Sequence, residues 1–504
     1  MPSEYRLNID YKTPFYPRLM MNEFDLTIRN GRISDASTTY FADIGIKDGK
    51  IAIIADRLSA AVSDIDATGL WILPGGIDSH CHVDERSPMG MRVADDFLSA
   101  TSAAVFGGTT TIIPFAVQHR KDHLPTVIAD YKALAKQRAF IDYALHLIVT
   151  DPNPDTLKNH LPAAIRSGIT SFKVFMTYEV LKLTDEQILD ILELADAEGA
   201  LVMIHAENDD MIRWLTRKLL SFGHTSPKFH GVSHDPIAEA EATNRAVSLA
   251  ALIDVPILIV HVSGLEPLRI IHGAQALGLN ILAESCPQYL FLTAEDLDLP
   301  GVEGAKYCCS PPPRDPISQK AVWDSLLDGT LQLYSSDHAP YKFDESGKIP
   351  RGEQTIFTEM ANGLPGIELR MALLFSEGVL TGRMPIERFV ALCSTNHART
   401  YGLFPRKGAI AVGSDADLAL WDPTVKRIVR AEMLHDKAGY TPYEGRTIMG
   451  WPTIVISRGR VAVQNNRLLL EPGDGELLAC GTPEPVARQR LNGNPNSVRR
   501  KFFT

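Results

Sequence analysis

The feature that most constrains the fold is a regular alternation of short β-branched apolar runs with longer amphipathic segments, between about residues 70 and 340. Helix signals separate the runs: Thr184 precedes two acidic residues, for example, and Gly199 ends the same segment. The runs are 71–82, 109–115, 141–149, 171–176, 201–207, 256–262, 280–286 and 331–340. Eight strands that alternate with helices predict an α/β fold, a closed (β/α)8 TIM barrel.

Both flanks of this region have strand patterns of a different kind. Residues 24–56 alternate as strands around the turn signals Asn30-Gly31 and Asp48-Gly49, and residues 415–421 and 454–463 repeat the pattern. We therefore predict a small β-sandwich domain that is built from both chain ends.

The sequence predicts five segments. They are an N-terminal extension over 1–22, the first part of the sandwich over 23–74, the catalytic barrel over 75–395, the second part of the sandwich over 396–478 and a tail over 479–504. The tail is rich in Pro, Asn, Gln and Arg, so we expect either a solvated extension or a clasp onto a neighbouring subunit.

Composition excludes several classes of protein. The 504 residues carry a net charge of −11, and the pI is about 5.8, which argues against a nucleic-acid partner. No apolar stretch reaches the roughly 18 residues of a membrane span, and residues 1–19 lack the apolar core of a signal peptide. Six cysteines without framework spacing are typical of a reduced protein, so we expect a cytoplasmic location.

Residue types that bind metals recur where the predicted strands end. Two histidines at i and i+2 follow the first strand and project to one side of it, while single candidate residues follow strands four, five, six and eight. In chain order these residues are His80, His82, Lys173, His205, His261 and Asp337. Since barrel enzymes collect their chemistry at this rim, the set predicts a metal site. Taken singly, each histidine could instead be a hydrogen-bonded rim residue, and Asp337 could cap the next helix.

Lys173 lies in the apolar stretch 169–176, where an ammonium group is costly unless it is paired or deprotonated. A buried salt bridge is one interpretation of this residue. A neutral lysine beside a metal can instead take up carbon dioxide and become a carbamate, whose two oxygens suit two metal ions. The residues alone leave both interpretations open.

Together these motifs resemble the amidohydrolase superfamily, in the cyclic amidase branch of dihydropyrimidinases and D-hydantoinases, and the resemblance extends from residue 22 to about residue 471. The motifs that carry it are Pro74-Gly75-Gly76-Ile77-Asp78-Ser79-His80-Cys81-His82, Asp95-Asp96-Phe97, Gly107-Gly108-Thr109-Thr110, Ser171-Phe172-Lys173-Val174-Phe175-Met176-Thr177-Tyr178, His205-Ala206-Glu207, His261-Val262-Ser263, Ser310-Pro311-Pro312-Pro313-Arg314 and Ser336-Asp337-His338. Of these, the lysine motif with its trailing tyrosine is the most specific to the branch.

The resemblance implies two divalent metal ions per subunit. It implies that one ion is held by His80, His82, carboxylated Lys173 and Asp337, and the other by Lys173, His205 and His261. Zinc is the expected metal for a histidine-rich site, and manganese or cobalt are the alternatives. The carbamate on Lys173 would derive from carbon dioxide.

The resemblance also implies catalytic and substrate-binding roles. Asp337 would accept a proton and return it to the departing nitrogen, and Tyr178 would donate to the oxyanion. The backbones of Ser310 and Asn362 would bind the cyclic -CO-NH-CO- unit. Without the resemblance, Tyr178 could be a packed rim residue, and the other two could belong to structural turns.

The predicted function is that of a hydrolase that opens dihydropyrimidines or 5-substituted hydantoins to N-carbamoyl amino acids. A cyclic imide hydrolase and an allantoinase are the alternatives. A different class stays open in the non-catalytic collapsin-response-mediator proteins, although these scaffolds have lost metal ligands and all six are present here. Dihydroorotases carry an arginine soon after the His-x-His pair, whereas Val83 and Asp84 follow it in this chain. The resemblance further implies a homotetramer, with a homodimer as the alternative.

Overall fold

The computed structural model describes residues 24–87 and 90–493, so the predicted extension over 1–22 lies outside the described residues. The strands of this part of the chain are β1 Leu26–Arg29, β2 Arg32–Ser34, β3 Thr39–Phe41, β4 Asp43–Lys47, β5 Lys50–Ala55, β6 Ser63–Asp66, β7 Trp71–Pro74, β8 Gly76–Cys81, β9 Thr109–Val117, β10 Asp142–Tyr143, β11 His146–Ile148, β12 Ser171–Phe175, β13 Leu201–His205, β14 Ile257–Ile259, β15 Ile281–Ser285, β16 Leu333–Tyr334, β17 Leu418–Ile428, β18 Thr447–Ser457, β19 Arg460–Gln464 and β20 Arg467–Leu468.

The α-helices of the described residues are α1 Phe97–Phe106, α2 Leu124–Ala135, α3 Leu161–Arg166, α4 Asp185–Glu198, α5 Asp209–Ser221, α6 Lys228–Ser233, α7 Pro236–Ile253, α8 Leu265–Ala276, α9 Gln288–Phe291, α10 Pro316–Asp328, α11 Arg370–Leu374, α12 Ile386–Val390, α13 Asn396–Thr400 and α14 Glu484–Asn492. Short π-helical turns cover Thr156–His160, Phe375–Val379 and Ala391–Thr395, and 3-10 turns cover Ala294–Asp298, Glu303–Tyr307, Gly352–Gln354 and Ala431–Met433. None of these helices is both long and apolar enough to cross a membrane.

Strands β8 to β16 form one parallel sheet. Consecutive strands pair with each other, except that β10 and β11 both pair with β9 and not with each other. β10 and β11 are therefore two halves of one interrupted strand, and the sheet has eight positions. A parallel bridge between Cys81 and His338 brings its two edges together. The predicted (β/α)8 barrel is confirmed, and each of the eight predicted apolar runs overlaps a barrel strand.

Helix α4 shows why the local sequence signals were sufficient. The Thr184 side chain accepts a hydrogen bond from the backbone N–H of Gln187, and the Gln187 side chain accepts one from the backbone N–H of Thr184. The helix ends at Gly199, whose φ of 96° is in the left-handed region that favours glycine. Its apolar face, with Ile188 and Ile191, is fully buried.

The first predicted run, 71–82, divides into two strands. β7 pairs with β17 in the sandwich, whereas β8 begins the barrel. Gly75 lies between them, and a Cβ atom there would come within 2.1 Å of the hydroxyl oxygen of Thr110 in β9, so a larger residue would clash with that strand. The predicted run did not show this division, because a single residue, Gly75, stands between the two strands.

The flanking strands form two sheets, with the orders β5-β4-β1-β6 and β20-β19-β18-β17-β7-β2-β3. Their common core joins Ile28 and Ile44 from the first flank to Leu418 and Ile456 from the second, and all four side chains are fully buried. This arrangement confirms the small β-sandwich domain built from both chain ends.

The N-terminal end of the barrel is closed by later parts of the chain. The ring of Tyr401, just after α13, lies in the same core cluster as Met203 and Leu258, so the interior is packed below the level of the site. α14 packs on the same end through the fully buried Val486, and Asn280 donates to the Pro485 carbonyl at 3.1 Å. The described part of the tail thus rests on its own barrel, and the residues after 493 lie outside the described residues. The segment boundaries stay predictions.

Candidate metal centre

Three of the predicted ligands converge at the C-terminal end of the barrel. Asp337 Oδ1 lies 3.1 Å from His80 Nε2 and 3.5 Å from His82 Nε2. One donor atom from each of the three residues lies within 4.8 Å of the others, a spacing that suits three ligands of one ion. Asp337 has a φ of 48°, and such strain in a residue with a side chain is typical of functional positions.

The other three predicted ligands adjoin this group. His205 Nδ1 faces His261 Nε2 at 2.9 Å, and Lys173 Nζ lies 2.8 Å from His80 Nε2. The ring centroids of His80 and His261 are 5.4 Å apart, which brings the two groups side by side. The barrel therefore collects all six residues at one rim, although their roles as ligands remain predictions.

Buried carboxylates orient the histidine rings. Glu284 accepts from His80 Nδ1 at 2.5 Å, Glu207 accepts from His205 Nε2 at 2.7 Å, and Glu85 contacts His82 Nδ1. Each carboxylate holds a proton on the ring nitrogen that points away from the cluster, so the opposite nitrogen keeps its lone pair for a metal.

These carboxylates are not among the site residues predicted from the sequence. Glu207 follows His205 by two residues at the end of β13, which is a readable signal for a pair on one side of a strand. Glu284 gave no such signal, because β15 supplies none of the predicted ligands. Burial would raise the pKa of Glu207, but His234 and His205 hold it well below the usual range, so its carboxylate stays ionised.

Lys173 is buried beside two aromatic rings and forms no ion pair. Its side chain is 2% exposed, and its Nζ lies 4.6 Å from the ring centre of Phe115 and 5.0 Å from that of Phe175. No carboxylate of the described residues lies within 4.0 Å of Nζ, so the structure shows no salt bridge for this lysine. Burial lowers the pKa of Lys173, which favours the neutral amine.

The atoms of the second group also fit a divalent ion. Because Glu207 holds the proton of His205 Nε2, the Nδ1 atom of the same ring presents a lone pair to His261 Nε2. A proton or a cation must lie between two nitrogens this close. His261 Nδ1 has no hydrogen-bond partner among the described residues, and this residue also has a strained φ of 40°.

A cavity of about 320 Å³ opens from the cluster, and its wall includes the predicted substrate residues Tyr178, Ser310 and Asn362. The Tyr178 side chain interacts with both of the others, and its ring centre lies 5.4 Å from that of His205. Burial raises the pKa of the Tyr178 hydroxyl, so it is a hydrogen-bond donor at neutral pH. Its φ of 65° is another strained backbone position at this rim.

A cluster of three aspartates lies at the opposite end of the barrel, and it differs from the candidate metal centre in its charge balance. One carboxylate oxygen from each of Asp142, Asp415 and Asp417 lies within 4.8 Å of the others. Lys407 Nζ already occupies the centre of this cluster, at 2.6 Å from Asp142, 3.1 Å from Asp415 and 2.5 Å from Asp417. The lysine neutralises the charge that would otherwise attract a metal ion.

The barrel and its converging donors define the class of barrel enzymes that hold divalent metals at the C-terminal rim. A profile of the Amidohydrolase family matches residues 71–462. The D-hydantoinase of Geobacillus stearothermophilus is 44% identical over 455 residues, which cover 90% of this chain and 95% of the relative. The chain belongs to the Amidohydrolase family, and the predicted resemblance to its cyclic amidase branch is confirmed.

Solved structures agree with this assignment. The dihydropyrimidinase from Brevibacillus agri NCHU1002 has a TM-score of 0.88 and 43% identity, and the match covers 90% of this chain and 98% of that chain. The L-hydantoinase from Arthrobacter aurescens has a TM-score of 0.82 and 28% identity, with 90% of this chain and 100% of that chain covered.

Proposed function

We propose that this protein is a binuclear metal-dependent hydrolase that opens cyclic diamides, either dihydropyrimidines or 5-substituted hydantoins, to N-carbamoyl amino acids. The observation that carries the proposal is the convergence of six candidate ligands, five of which line one cavity, in a chain 44% identical to a D-hydantoinase. The names of the relatives support these rings over allantoin or simple imides. The converging ligand residues support an enzyme over a scaffold.

In this proposal one ion is held by His80, His82, carboxylated Lys173 and Asp337, and the other by Lys173, His205 and His261, with zinc as the expected metal. Two bound metals would bring the pKa of a water molecule toward neutrality and polarise the substrate carbonyl. The neutral Nζ of Lys173 forms a bond to the carbon of carbon dioxide and releases one proton to solvent. The low pKa that burial gives this lysine supports that step.

Asp337 carries the proton between the two halves of the reaction. Burial would raise its pKa, but His80, His82 and His261 hold it well below the usual range, so the carboxylate begins ionised. It accepts a proton from the attacking water and delivers it to the departing amide nitrogen. Gln288 Nε2, 3.4 Å from Asp337 Oδ2, helps to orient it.

Three residues position the substrate. The Tyr178 hydroxyl donates to the oxyanion that develops on the attacked carbonyl. The backbones of Ser310 and Asn362 bind the -CO-NH-CO- unit, and the shared cavity wall supports this assignment.

We further propose that the protein is a homotetramer, with a homodimer as the alternative, and that it is cytoplasmic. Met211, Trp214 and Ile237 line an apolar groove at the surface, and exposed apolar area of this kind is suited to a subunit contact. All six cysteines are unpaired and buried, in keeping with a reducing compartment.

A substrate panel tests the function: dihydrouracil, dihydrothymine, hydantoin, a 5-aryl hydantoin, succinimide, allantoin and dihydroorotate, each assayed for kcat/KM with metal-loaded protein. No arginine lines the cavity among the described residues, so a ring carboxylate has no guanidinium partner. Missing contacts of this kind cost several kcal/mol, so we expect dihydrouracil or a 5-substituted hydantoin to exceed dihydroorotate by at least about a hundredfold. A higher kcat/KM for dihydroorotate or allantoin than for every other ring would overturn the proposal.

A further inference from the structure

A second buried lysine lies beside the cavity, and the proposed reaction does not use it. Lys348 is fully buried in the loop between β16 and α11. Its Nζ donates to the Cys308 carbonyl at 2.6 Å and to the Ala361 carbonyl at 2.8 Å. No carboxylate of the described residues lies within 4.0 Å of this ammonium, so two neutral carbonyls are what the structure offers to its charge.

The two carbonyls belong to the two segments that carry the proposed substrate contacts. Cys308 precedes Ser310 by two residues, and Ala361 immediately precedes Asn362. Residues 308–310 and 361–363 also contact each other directly, since Gly363 N–H donates to the Cys308 carbonyl at 3.0 Å and the Cys308 thiol donates to Asn362 Oδ1 at 3.1 Å. Lys348 therefore joins the two segments at their closest approach.

The ammonium also polarises the peptide group that carries the proposed substrate contact of Asn362. The Ala361 carbonyl and the Asn362 N–H belong to one peptide unit, and a cation at the oxygen end strengthens the N–H as a donor. A buried charge with few partners is unfavourable for folding, and burial lowers the pKa of Lys348 to about 8. An apolar side chain of similar length would fill the same space without that cost.

We propose that Lys348 is a positioning residue for the substrate. It sets the spacing of residues 308–310 and 361–363, so that the backbones of Ser310 and Asn362 match the two ends of the -CO-NH-CO- unit. This inference rests on the proposed function, because it assigns Lys348 to binding of that same cyclic unit.

The test compares Lys348→Met and Lys348→Gln with a matched control, Arg388→Met. Arg388 is a half-buried cation that likewise donates to two backbone carbonyls, those of Leu326 at 2.6 Å and Leu331 at 2.7 Å, but it lies at the N-terminal end of the barrel.

For each variant, metal content, thermal unfolding, kcat and KM are measured with the best ring of the panel. A second measurement adds Lys348→Met to an Asp337→Asn background and follows binding of the same ring by calorimetry.

We expect Lys348→Met to raise KM by roughly ten- to a hundredfold, the effect of one or two lost hydrogen bonds, with kcat changed by no more than about threefold and full metal content. Lys348→Gln, which keeps a neutral donor, should give an intermediate KM, and Arg388→Met should leave KM unchanged. Calorimetry should show the same weakening without turnover.

An unchanged KM in Lys348→Met would overturn the inference, and so would an equal rise in KM for Arg388→Met, which would indicate general loosening. If Lys348→Met does not fold, an unchanged KM in Lys348→Gln is the overturning result. If the wild-type protein hydrolyses no ring of the panel, the proposed function fails, which is distinct from a positioning failure in an active enzyme.

Discussion

The two ends of the barrel each bury a lysine among residue types that can bind metals, and the two lysines differ in the charge that contacts them directly. Lys407 is surrounded by three carboxylates within 3.1 Å, whereas Lys173 has nitrogen donors and aromatic rings as its neighbours. Burial opposes a charge in both cases. The contacting carboxylates outweigh burial and raise the pKa of Lys407. At Lys173 burial outweighs the more distant carboxylates of Asp337, Glu284 and Glu85, and the pKa is lowered. Residue type and burial therefore do not identify a metal site; the balance of charge does.

The two clusters also differ in what they connect. Asp142 begins the barrel strand β10 and Asp417 precedes the sandwich strand β17, so Lys407 joins the two domains. The cluster at the C-terminal end has the strained φ of His261 and Asp337 and opens into the cavity. The N-terminal end thus stabilises the fold, and the C-terminal end carries features typical of function.

The largest expected effect comes from Lys173→Ala, which removes the anionic bridge of the proposed metal centre. We expect kcat/KM to fall by at least about a thousandfold, equivalent to the several kcal/mol that metals contribute, with loss of bound metal. Thermal stability of the metal-free chain should fall less than in Lys407→Ala, because the substitution leaves a cavity but breaks no ion pair. Small carboxylates such as propionate should restore part of the activity. Near-normal turnover with both metals in place would show that the carbamate proposal is wrong.

The same substitution at the other lysine should reverse this pattern. Lys407→Ala leaves three buried carboxylates without their cation, and removal of one partner of a buried ion pair costs about 3–5 kcal/mol. We expect a lower urea midpoint, while kcat of the folded, metal-loaded variant stays within about threefold of wild type. If Lys407→Ala loses metal and activity in the way that Lys173→Ala does, the division of roles between the two ends does not hold.

The smallest effect concerns the acid stability of the Lys407 cluster. Burial would raise the pKa of Asp415, but Lys407, Lys50 and Arg406 lower it from 3.8 to about 2. As the pH falls, the Asp415 carboxylate is therefore protonated in the unfolded chain before it is protonated in the folded chain. The stability that Asp415 supplies is complete above pH 3.8 and is lost as the pH falls toward about 2. Asp415→Asn lacks this contribution. Between pH 3.8 and about 2, the free energy of unfolding should therefore fall less for the metal-free variant than for the metal-free wild type. Parallel curves for the two proteins would contradict the depressed pKa.

The barrel and the six candidate ligands were predictable from the sequence because parallel strands bring all their C-terminal ends to one rim. A residue such as His205 or Asp337 could then be assigned to the C-terminal rim from its position at the end of one predicted strand. No contact between distant segments had to be known.

The features that the sequence did not reveal depend on such contacts. Lys407 and Asp142 are 265 residues apart, and only the packing of the sandwich against the barrel brings them together. Glu284 lies in a strand without a predicted ligand, and Lys348 lies in a loop without a recognisable motif. The separation of β7 from β8 was hidden because a single residue, Gly75, stands between the two strands.

The most direct test of the account is the chemical state of the two lysines in metal-loaded protein. Wild type, Lys173→Ala and Lys407→Ala are prepared with ¹³C-bicarbonate, and carbon-13 NMR is combined with a metal analysis of the same samples. The account predicts a single carbamate carbon and two divalent ions per chain in wild type and Lys407→Ala, and neither in Lys173→Ala. A fully active, metal-loaded wild type without the labelled carbon, or a carbamate that persists in Lys173→Ala, would contradict it.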